Sequence, residues 1–516
     1  MVSRVNVQVI HSPKESMSGK VRDYLFYDSA TSVCSDCLRR TEGKIIIQEN
    51  NVYMDKLCYS CAKREKVLLS DDAEYYRRCR EVYVKPSEMP ERWNTPMKYG
   101  CPYDCGLCPS HEQHSCLTLI EVTDHCNLKC PICYADSGPE RKEDYRSLEH
   151  IIEMLDAVVE NELEPDVIQI SGGEPTLHPN FFEILDAVRE RPVQHLMVNT
   201  NGIRIANEPE FAARLGEYKP GFELYLQFDS LEKEPLMRLR GADLREIRRK
   251  ALENLEAHNV STTLVVTLQK GLNDHEIGEI IEYALSWNCI RGVTFQPIQE
   301  AGRHDDYDVS KDRLTLSEVR RMIGEQSKTF EIEDMLPVPC HPDSIAMAYA
   351  LRMGGTTVPL TRHIDDETLL SGPRSTIQFE QDQELKDKVL GLLSTAHSPD
   401  SAGHSLAQLL CCLPELEMPT EFSYDNVFRI IIMDFIDAHS FDLRSVKKTC
   451  VHIVSPDLRL IPFDTYNMFY RGDLEENILE PIRRELALAG MALLTTEEKR
   501  NLLGNLPMAQ GEVIDE

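Results

Sequence analysis

The sequence has no long hydrophobic run. No stretch approaches the roughly 18 to 20 apolar residues that a membrane-spanning helix requires. The nearest stretch, residues 427–436, contains Arg429 and Asp434. We therefore expect a protein without membrane spans, which contacts a membrane at most peripherally.

The chain is also poor in positive charge. It has 56 Lys and Arg residues against 86 Asp and Glu residues, which gives a formal net charge of −30. Such a surface repels phosphate backbones and anionic lipid headgroups at long range. This charge counts against nucleic acid as a main partner, although it leaves room for a local basic patch.

The first residues lack the pattern of a secretory signal, in which a charged stretch precedes an apolar stretch and a small-residue cleavage site. The chain nevertheless has 17 cysteines, many of them in closely spaced groups. Without a secretion signal, such groups indicate metal thiolates in a reducing compartment rather than disulfides. We therefore expect a cytoplasmic metalloprotein.

The most informative motif is a loop with three cysteines. It reads Cys126-Asn-Leu-Lys-Cys130-Pro-Ile-Cys133-Tyr134. Three thiolates at this spacing can ligate three irons of one 4Fe–4S cluster and leave the fourth iron open for a substrate or cofactor. Taken alone, in a chain so rich in cysteine, the spacing is also compatible with a zinc knuckle or with chance.

A glycine motif follows the cysteine loop, after one predicted helix and one predicted strand. An apolar-periodic helix at 151–162 and a β-run at 167–170 lead into Ser171-Gly172-Gly173-Glu174-Pro175. Two glycines at the end of a strand allow the backbone to approach a ligand closely. The order of cysteine loop, helix, strand and glycine loop favours the iron–sulfur interpretation.

Four cysteines near the N-terminus form a separate set. They are arranged as two Cys-x2-Cys pairs with 20 residues between the pairs: Cys34 and Cys37, then Cys58 and Cys61. This spacing is typical of a tetrahedral four-thiolate site. Residues 44–48 and 51–54 are predicted to form a hairpin that brings the pairs together. Spacing alone does not distinguish Zn²⁺ from a rubredoxin-like iron.

A second set of cysteines lies between this module and the central loop. Cys101, Cys105 and Cys108 repeat the three-then-two spacing, and Cys116 follows eight residues later. Because a fourth thiolate is close at hand and no glycine-loop barrel begins after Cys108, we predict a fully ligated auxiliary 4Fe–4S cluster. A second zinc site is the alternative.

From residue 117 onward, strands and helices alternate. The short apolar runs predicted as strands are 117–122, 167–170, 193–198, 222–228, 261–268 and 292–295. The amphipathic stretches between them include helices predicted at 181–189, 244–258 and 275–287. Six such units indicate an α/β fold in which a parallel sheet with right-handed crossovers closes into a partial (βα)6 barrel.

Polar residues follow several of these strands. Asn201, Asp229 and Gln296 each lie at or just after the end of a predicted strand. Ligands gather at the carboxyl ends of parallel strands, although strand ends of this composition also form plain turns. Their recurrence at the same edge of the sheet favours contact with a cofactor or substrate.

The region after residue 303 carries four further cysteines, Cys340, Cys411, Cys412 and Cys450. Any one of them could be an inert core residue, but four in one region favour a third cluster. Two adjacent thiolates on one cluster are sterically awkward, so we expect one of the adjacent pair to be a bystander. The residues that could then complete the set are Cys289, His341 and Asp464.

The same region gives weaker structural signals. Residues 427–436 are apolar on nearly all sides and are predicted to form a core helix, with the lining of a hydrophobic substrate site as the alternative. Residues 461–471 are predicted as a packed strand and turn, and residues 474–503 as a helix. We expect four units, at 1–95, 96–116, 117–303 and 304–516.

Together these motifs resemble the radical S-adenosylmethionine (SAM) superfamily. The N-terminal four-cysteine module, the Cys101–Cys108 spacing and the segment Cys450-Val-His-Ile-Val-Ser-Pro-Asp resemble one subgroup of it, over about residues 25–475. That subgroup contains archaeal tetraether lipid synthase and the class D radical SAM methyltransferases. One departure is Ile132, where the superfamily usually has an aromatic residue; here the aromatic is Tyr134.

The resemblance implies a SAM molecule chelated to the open iron and cleaved by one electron to a 5'-deoxyadenosyl radical. It implies that Gly172, Gly173, Glu174 and Pro175 contact the methionine amino group and that Asp229 and Gln296 hold the ribose and adenine. It also implies a rubredoxin-like iron, three 4Fe–4S clusters, and an electron donor such as ferredoxin or flavodoxin.

The expected reaction is the formation of a C–C bond. The first interpretation is the coupling of unactivated lipid alkyl carbons, as in the tetraether synthase. The alternative is a methyltransferase that adds a one-carbon unit to a pterin-like substrate. A peptide-modifying maturase is a further alternative, although its auxiliary cysteines usually follow the barrel. A nonenzymatic zinc-binding interaction protein would be colourless, whereas the enzyme would be brown with iron.

Overall fold

The computed structural model describes residues 22–493, except 84–85, 87, 142–143, 305–306, 354–355 and 363–425. The described residues form an antiparallel sheet of four strands, a mixed sheet of twelve strands, and a two-stranded pair beside the central cysteine loop. None of the helices in this part of the chain is long and apolar enough to cross a membrane.

The N-terminal module is an antiparallel sheet followed by a helix. Its elements are β1 (Leu25–Val33), β2 (Arg40–Gln48), β3 (Asn51–Leu57), β4 (Arg64–Ser70) and α1 (Ala73–Glu81). The predicted hairpin is confirmed, since β2 and β3 pair up to Gln48 and Asn51. Glu49 and Asn50 have φ angles of 52° and 68°, as a tight two-residue hairpin turn requires.

The six predicted barrel strands are confirmed. They are β5 (Leu117–Glu121), β7 (Val167–Ser171), β8 (His195–Thr200), β9 (Phe222–Gln227), β10 (Thr262–Leu268) and β11 (Ile290–Pro297). The short β6 (Ile132–Cys133) lies between β5 and β7 in sequence and is not part of this sheet. Neighbours in this series, from β5 to β11 and leaving out β6, pair in parallel. The strands are buried on both faces, which is why each reads as a nearly continuous apolar run.

Helices cover the outside of this sheet. They are α2 (Leu148–Glu162), α3 (Phe181–Arg189), α4 (Ile203–Asn207), α5 (Pro209–Gly216), α6 (Lys233–Arg240), α7 (Arg245–Ala257), α8 (Ile277–Leu285), α9 (Val309–Asp312) and α10 (Leu316–Gln326). The predicted helices of the barrel are confirmed. Short 3-10 turns occur at Pro175–Leu177, Asp274–Glu276, Ile332–Asp334 and Leu360–Arg362. A capping box between Thr315 and Glu318 begins α10.

The C-terminal region extends the barrel sheet at both edges. Its strands are β12 (Arg303–His304), β13 (Leu336–Pro337), β14 (Ile345–Met353), β15 (Thr356–Pro359), β16 (Val427–Met433), β17 (Val451–Val454) and β18 (Leu460–Pro462). Strand β16 pairs in parallel with β11 at one edge, and β17 pairs in parallel with β5 at the other. Strands from both sides of residue 303 thus form one sheet, and the predicted division of the chain into four units stays a prediction.

The predicted core helix at 427–436 is wrong. This segment contains β16, which pairs in parallel with β11 and antiparallel with β14. An interior strand buried on both faces gives the same unbroken apolar pattern as a buried helix, and its β-branched run Ile430-Ile431-Ile432 favours the strand.

The end of the described chain is helical. It contains α11 (Leu443–Val446), α12 (Phe463–Thr465), α13 (Glu480–Leu493) and π-helical turns at Tyr466–Tyr470 and Glu475–Leu479. The predicted packed strand and turn at 461–471 is β18 followed by helical turns. The helix predicted at 474–503 is present up to Leu493, and residues 494–503 lie outside the described residues.

A buried ion pair ties the C-terminal strand to the barrel. Arg429 of β16 donates from Nη2 to both carboxylate oxygens of Glu223, at 2.9 and 2.8 Å. Burial raises the pKa of Glu223, but the charge of Arg429, together with His195 and the hydroxyl of Thr263, lowers it below its ordinary value. Removing one partner from such a buried pair leaves an uncompensated charge, which costs several kcal/mol.

The N-terminal sheet docks on the C-terminal segment through two buried cations. Lys56 of β3 donates to the carbonyl oxygens of Val33, Ala438 and His439 at 2.9, 2.6 and 3.0 Å. The two ring nitrogens of His439 contact the carboxylates of Glu65 and Glu300. Burial lowers the pKa of His439, but these two hydrogen bonds outweigh it and raise the pKa to about 9.

We predict that docking of the N-terminal module weakens in alkali through His439. A histidine whose pKa is higher in the folded state contributes stability that is complete below its unfolded value of about 6.5. That contribution is lost as pH rises through about 9. Thermal midpoints of wild type and His439→Gln, measured from pH 6 to pH 10, should therefore differ most at the acidic end and converge in alkali. Parallel curves would contradict this role.

Candidate active site

The central cysteine loop follows directly from β5. Cys126 and Cys130 are buried and Cys133 is half-buried, and all three line one cavity inside the barrel. Burial raises the pKa of Cys126 to about 12 and also raises that of Cys130. Binding of iron by these sulfurs must therefore release protons.

Arg303, which follows the last barrel strand in sequence, holds this loop in place. Its guanidinium donates to the carbonyl oxygens of Cys130 and Ser137 at 2.6 and 2.8 Å and to Asp136 at 2.6 Å. Its strand β12 pairs with β6, so that Arg303 lies opposite Cys133. Arg303 thus stabilises the loop that carries the three thiols, through contacts at Cys130 and at Asp136 and Ser137.

Gly172 and Gly173 pack against the backbone that leads into the cysteine loop. A Cβ on Gly172 would lie 2.3 Å from the carbonyl oxygen of Thr123, and one on Gly173 would lie 2.2 Å from that of His125. The amide of Gly173 donates to Thr123 O at 2.7 Å. The two glycines are therefore needed for contact between two loops as well as for access to the cavity.

Glu174 joins the glycine loop to the end of β8. Its carboxylate accepts hydrogen bonds from the hydroxyls of Thr176 and Thr200, at 2.6 and 2.7 Å, and from the amide of Asn201 at 2.7 Å. Burial raises the pKa of Glu174. Glu174 and Asn201 both line the cavity beside Cys126, whereas Pro175 begins a 3-10 turn behind it.

The cavity has two chemically different walls. Amide side chains on the barrel strands or just after them form one wall: Gln169, Asn199, Gln227, Gln296 and Gln299. Apolar side chains, mostly from the C-terminal region, form the other: Val338, Ile345, Met347, Ile431, Met433, Phe435 and Phe463. The site can therefore hold a polar group and an apolar group side by side.

Cys116 belongs to a different group from the one predicted. Its sulfur lies with those of Cys340 and Cys450, all within 4.8 Å of one another, and the three thiols line the same cavity as Cys126. The cause is the parallel pairing of β5 with β17, in which the amide of Leu117 donates to Cys450 O at 3.1 Å. This pairing joins segments more than 300 residues apart in sequence.

The residues proposed to complete the C-terminal set have other partners. Cys289 lies in the hydrophobic core of the barrel. His341 Nε2 donates to Ser445 O at 2.8 Å, and Asp464 accepts from Ile436 N and Thr449 Oγ1 at 2.7 and 2.9 Å. Cys411 and Cys412 lie outside the described residues.

Cys101, Cys105 and Cys108 surround a separate small cavity with Gly106, His111, Val446 and Pro462. Cys105 and Cys108 are buried and Cys101 is half-buried. Among the described residues, no fourth cysteine lines this cavity. The structure therefore groups Cys116 with Cys340 and Cys450 rather than with these three cysteines, and the four-cysteine cluster stays a prediction without support from this geometry.

The N-terminal cysteines are brought together as predicted. The sulfurs of Cys34, Cys37, Cys58 and Cys61 lie within 4.8 Å of one another. The Cys34–Cys61 and Cys37–Cys58 sulfur distances are 3.5 and 3.6 Å. The arrangement suits one tetrahedral metal ion.

Of the three polar residues predicted at the strand ends, Asn201 and Gln296 line the cavity and Asp229 does not. Both carboxylate oxygens of Asp229 are bound by Arg240, at 2.7 and 2.5 Å. This geometry gives no support to the predicted contact of Asp229 with a ribose, because the carboxylate is fully buried and paired with Arg240. Gln227 and Arg240 reach the cavity in its place.

Arg248 provides a test of whether the cavity suits SAM. It is 1% exposed and lines the cavity. Its Nη1 donates to Asn201 O, while Nε and Nη2 have no hydrogen-bond partner among the described residues. Two unsatisfied donors on a buried cation suit a carboxylate, such as that of the methionine part of SAM. Together with the cysteine loop and the glycine cradle, Arg248 makes the site fit SAM and its cluster.

Sequence reasoning missed Arg240, Arg248 and Arg303. Arg248 could have been found, because it lies on one helical face with the buried residues Ala251, Leu252 and Leu255 of α7. A charged residue on an apolar face is a functional signal. No local pattern marked Arg303.

Comparisons with known proteins agree with this geometry. Sequence profiles described as the radical SAM superfamily and the HMPTM N-terminal zinc ribbon domain match residues 120–284 and 26–70. The 7,8-dihydro-6-hydroxymethylpterin dimethyltransferase of Methanocaldococcus jannaschii is 30% identical, over 87% of this chain and 95% of that protein.

More distant similarities cover less than half of the chain. The GTP 3',8-cyclase of a Synechocystis strain is 25% identical over 46% of this chain and 68% of its own length. A crystal structure of Streptococcus suis SuiB bound to S-adenosylmethionine is 18% identical, with a TM-score of 0.34 over 40% of this chain and 46% of that one.

We predict that Gly173→Ala displaces the cysteine loop, because its Cβ would collide with His125 O. SAM affinity should fall at least about tenfold, which corresponds to about 1.4 kcal/mol, as measured anaerobically by calorimetry. Gly490→Ala is the control, since a Cβ there meets nothing within 4 Å. Equal SAM affinity in Gly173→Ala and wild type would contradict the assignment of this loop.

Proposed function

Because the chain belongs to the radical SAM superfamily, in one family with the pterin dimethyltransferase, we propose that it adds a one-carbon unit to a pterin-like substrate through a new C–C bond. SAM bound with a 4Fe–4S cluster supplies a 5'-deoxyadenosyl radical for such a reaction. The residues of the cavity bind and orient the substrate, and they exclude water from it.

Within this proposal, Cys126, Cys130 and Cys133 hold the cluster. Gly172, Gly173 and Glu174 receive the methionine amino group, as the resemblance implies, and Arg248 receives the carboxylate through its two unsatisfied donors. Asn201, Gln227 and Gln296 line the same cavity as Arg248 and contact the nucleoside of SAM.

The metal sites outside the cysteine loop are part of the proposal. Cys116, Cys340 and Cys450 hold an auxiliary cluster that faces the same cavity, and Cys101, Cys105 and Cys108 hold a second one. The N-terminal four-cysteine site holds Zn²⁺, as the name of the matching ribbon suggests, or a single iron. Ferredoxin or flavodoxin supplies the electrons.

The amide wall is the observation that carries the choice of substrate. Gln169, Asn199 and Gln299 line the same cavity as the residues proposed to hold SAM. A pterin presents several hydrogen-bond donors and acceptors in one plane, and amide side chains can match both kinds. The identity with the pterin dimethyltransferase over most of both chains supports the same choice.

The apolar wall favours a second candidate, the coupling of lipid alkyl carbons. Met347, Met433, Phe435 and Phe463 face the cavity between Cys133 and Cys340, and apolar walls of this kind suit a hydrocarbon chain. A radical on an unactivated alkyl carbon needs the same dry surroundings as one on a one-carbon donor.

Two cavity variants distinguish these substrates. The protein is assayed anaerobically with SAM and reductant, and with either a dihydropterin and a one-carbon donor or an archaeal lipid extract. We expect a methylated pterin by mass spectrometry, with Gln169→Leu lowering its kcat/KM at least about tenfold, since one lost hydrogen bond to a bound substrate costs about 1.4 kcal/mol or more. Met433→Gln should have little effect.

A lipid product lighter by two hydrogens per new bond, lost in Met433→Gln but retained in Gln169→Leu, would overturn the pterin proposal in favour of alkyl coupling. Cys126→Ala should abolish 5'-deoxyadenosine with either substrate. Cys289→Ala is its matched control, because this cysteine is buried in the barrel core and should leave iron content and SAM cleavage unchanged.

A further inference from the structure

Arg240 is held beside the central cysteine loop by the end of its helix. It is the last residue of α6, and Gly241 ends the helix with φ 74°. A Cβ on Gly241 would contact Lys129 O at 3.4 Å and Pro131 Cδ at 3.6 Å. The helix end therefore packs against the residues on either side of Cys130, and Arg240 and Cys130 line the cavity together.

Three side chains fix the guanidinium of Arg240. Its Nε donates to Asp229 Oδ2 at 2.7 Å, and its Nη2 donates to Asp229 Oδ1, Gln227 Oε1 and Thr267 Oγ1 at 2.5, 2.9 and 2.9 Å. These bonds use one side of the guanidinium and leave its Nη1 without a bond to those residues. Such a planar fork has little freedom to reorient.

Asp229 is as firmly held as Arg240. Its carboxylate also accepts from Thr267 N at 3.2 Å, and its carbonyl oxygen accepts from Asn273 Nδ2 at 3.0 Å. Asp229 is 0% exposed, so its charge is tolerated only because Arg240 compensates it. The ionisable groups around the pair, besides Cys130, are Arg248 and Glu174.

Arg240 places a positive charge beside the cysteine loop. Arg240 and Cys130 line the same cavity, and the end of α6 packs against Lys129 and Pro131, the residues on either side of Cys130. Other described arginines in ion pairs, such as Arg313 with Asp437, do not line the cavity.

We propose that Asp229 and Arg240 set the reduction potential of the SAM-binding cluster, with Arg240 as the cation beside Cys130 and Asp229 as the positioning residue whose negative charge partly offsets that cation. The inference rests on the proposed cluster at Cys126, Cys130 and Cys133. It gives Asp229 a role in place of the ribose contact that the structure does not support.

The expected signs follow from charge. Reduction by one electron from the donor protein adds one negative charge to the cluster, so a nearby cation or N–H donor stabilises the reduced state and a nearby carboxylate destabilises it. Loss of Arg240 should lower the potential, because a cation disappears and Asp229 is left uncompensated. Loss of the Asp229 charge should raise the potential, because Arg240 remains.

Redox titration of the complete enzyme, followed by electron paramagnetic resonance, tests this proposal. The relevant cluster is the one whose signal changes when SAM is added. We expect Arg240→Gln to shift its midpoint potential to more negative values and Asp229→Asn to shift it to more positive values, with Asp229→Asn/Arg240→Gln between them. A purely structural pair would not give shifts of opposite sign.

Arg313→Gln and Asp437→Asn are the matched controls, because they alter a buried Arg–Asp pair that does not line the cavity, and their potentials should equal that of wild type. Unchanged potentials in both Arg240→Gln and Asp229→Asn, or shifts of the same sign, would overturn the proposal. If Arg240→Gln loses the cluster, Asp229→Asn and Arg240→Lys decide by the same signs. Absence of any SAM-sensitive signal in wild type would instead defeat the proposed function.

Discussion

The parallel pairing of β17 with β5 is the interaction on which the rest of the site depends. It places Val451 opposite Leu117 and so brings Cys450 next to Cys116 at the start of β5. The central cysteine loop leaves from the other end of that strand. Since β5 has five residues, the two thiol groups are separated along it by about 17 Å. The cavity occupies the barrel interior between them.

Strands from the C-terminal region extend the barrel sheet at both edges and complete the lining of the cavity. Strand β17 supplies Cys450 at one edge, while β14 and β16 supply apolar side chains such as Met347 and Met433 at the other. The buried pair of Arg429 and Glu223 fastens the second edge. A substrate in this cavity is therefore enclosed by residues that lie far apart in sequence, and the barrel alone would not form the site.

Local patterns in the sequence predicted much of this structure, and non-local contacts account for what it missed. The cysteine loop, Gly172 and Gly173, the N-terminal pairs and the six barrel strands all depend on residues close together in the chain. The grouping of Cys116 depends on a strand pair that no local pattern encodes. The pairing of Asp229 with Arg240 was missed because Arg240 comes from the end of the next helix. Strand β16 was predicted as a helix because its burial on both faces gives an unbroken apolar sequence.

Diffraction from crystals of the anaerobic enzyme, with anomalous differences measured on both sides of the iron edge, tests the central geometry most directly. We expect one iron cluster at Cys126, Cys130 and Cys133 and another at Cys116, Cys340 and Cys450, at opposite ends of β5 and on one cavity. A cluster that joins Cys116 to Cys101, Cys105 and Cys108, with no iron beside Cys340 and Cys450, would contradict it.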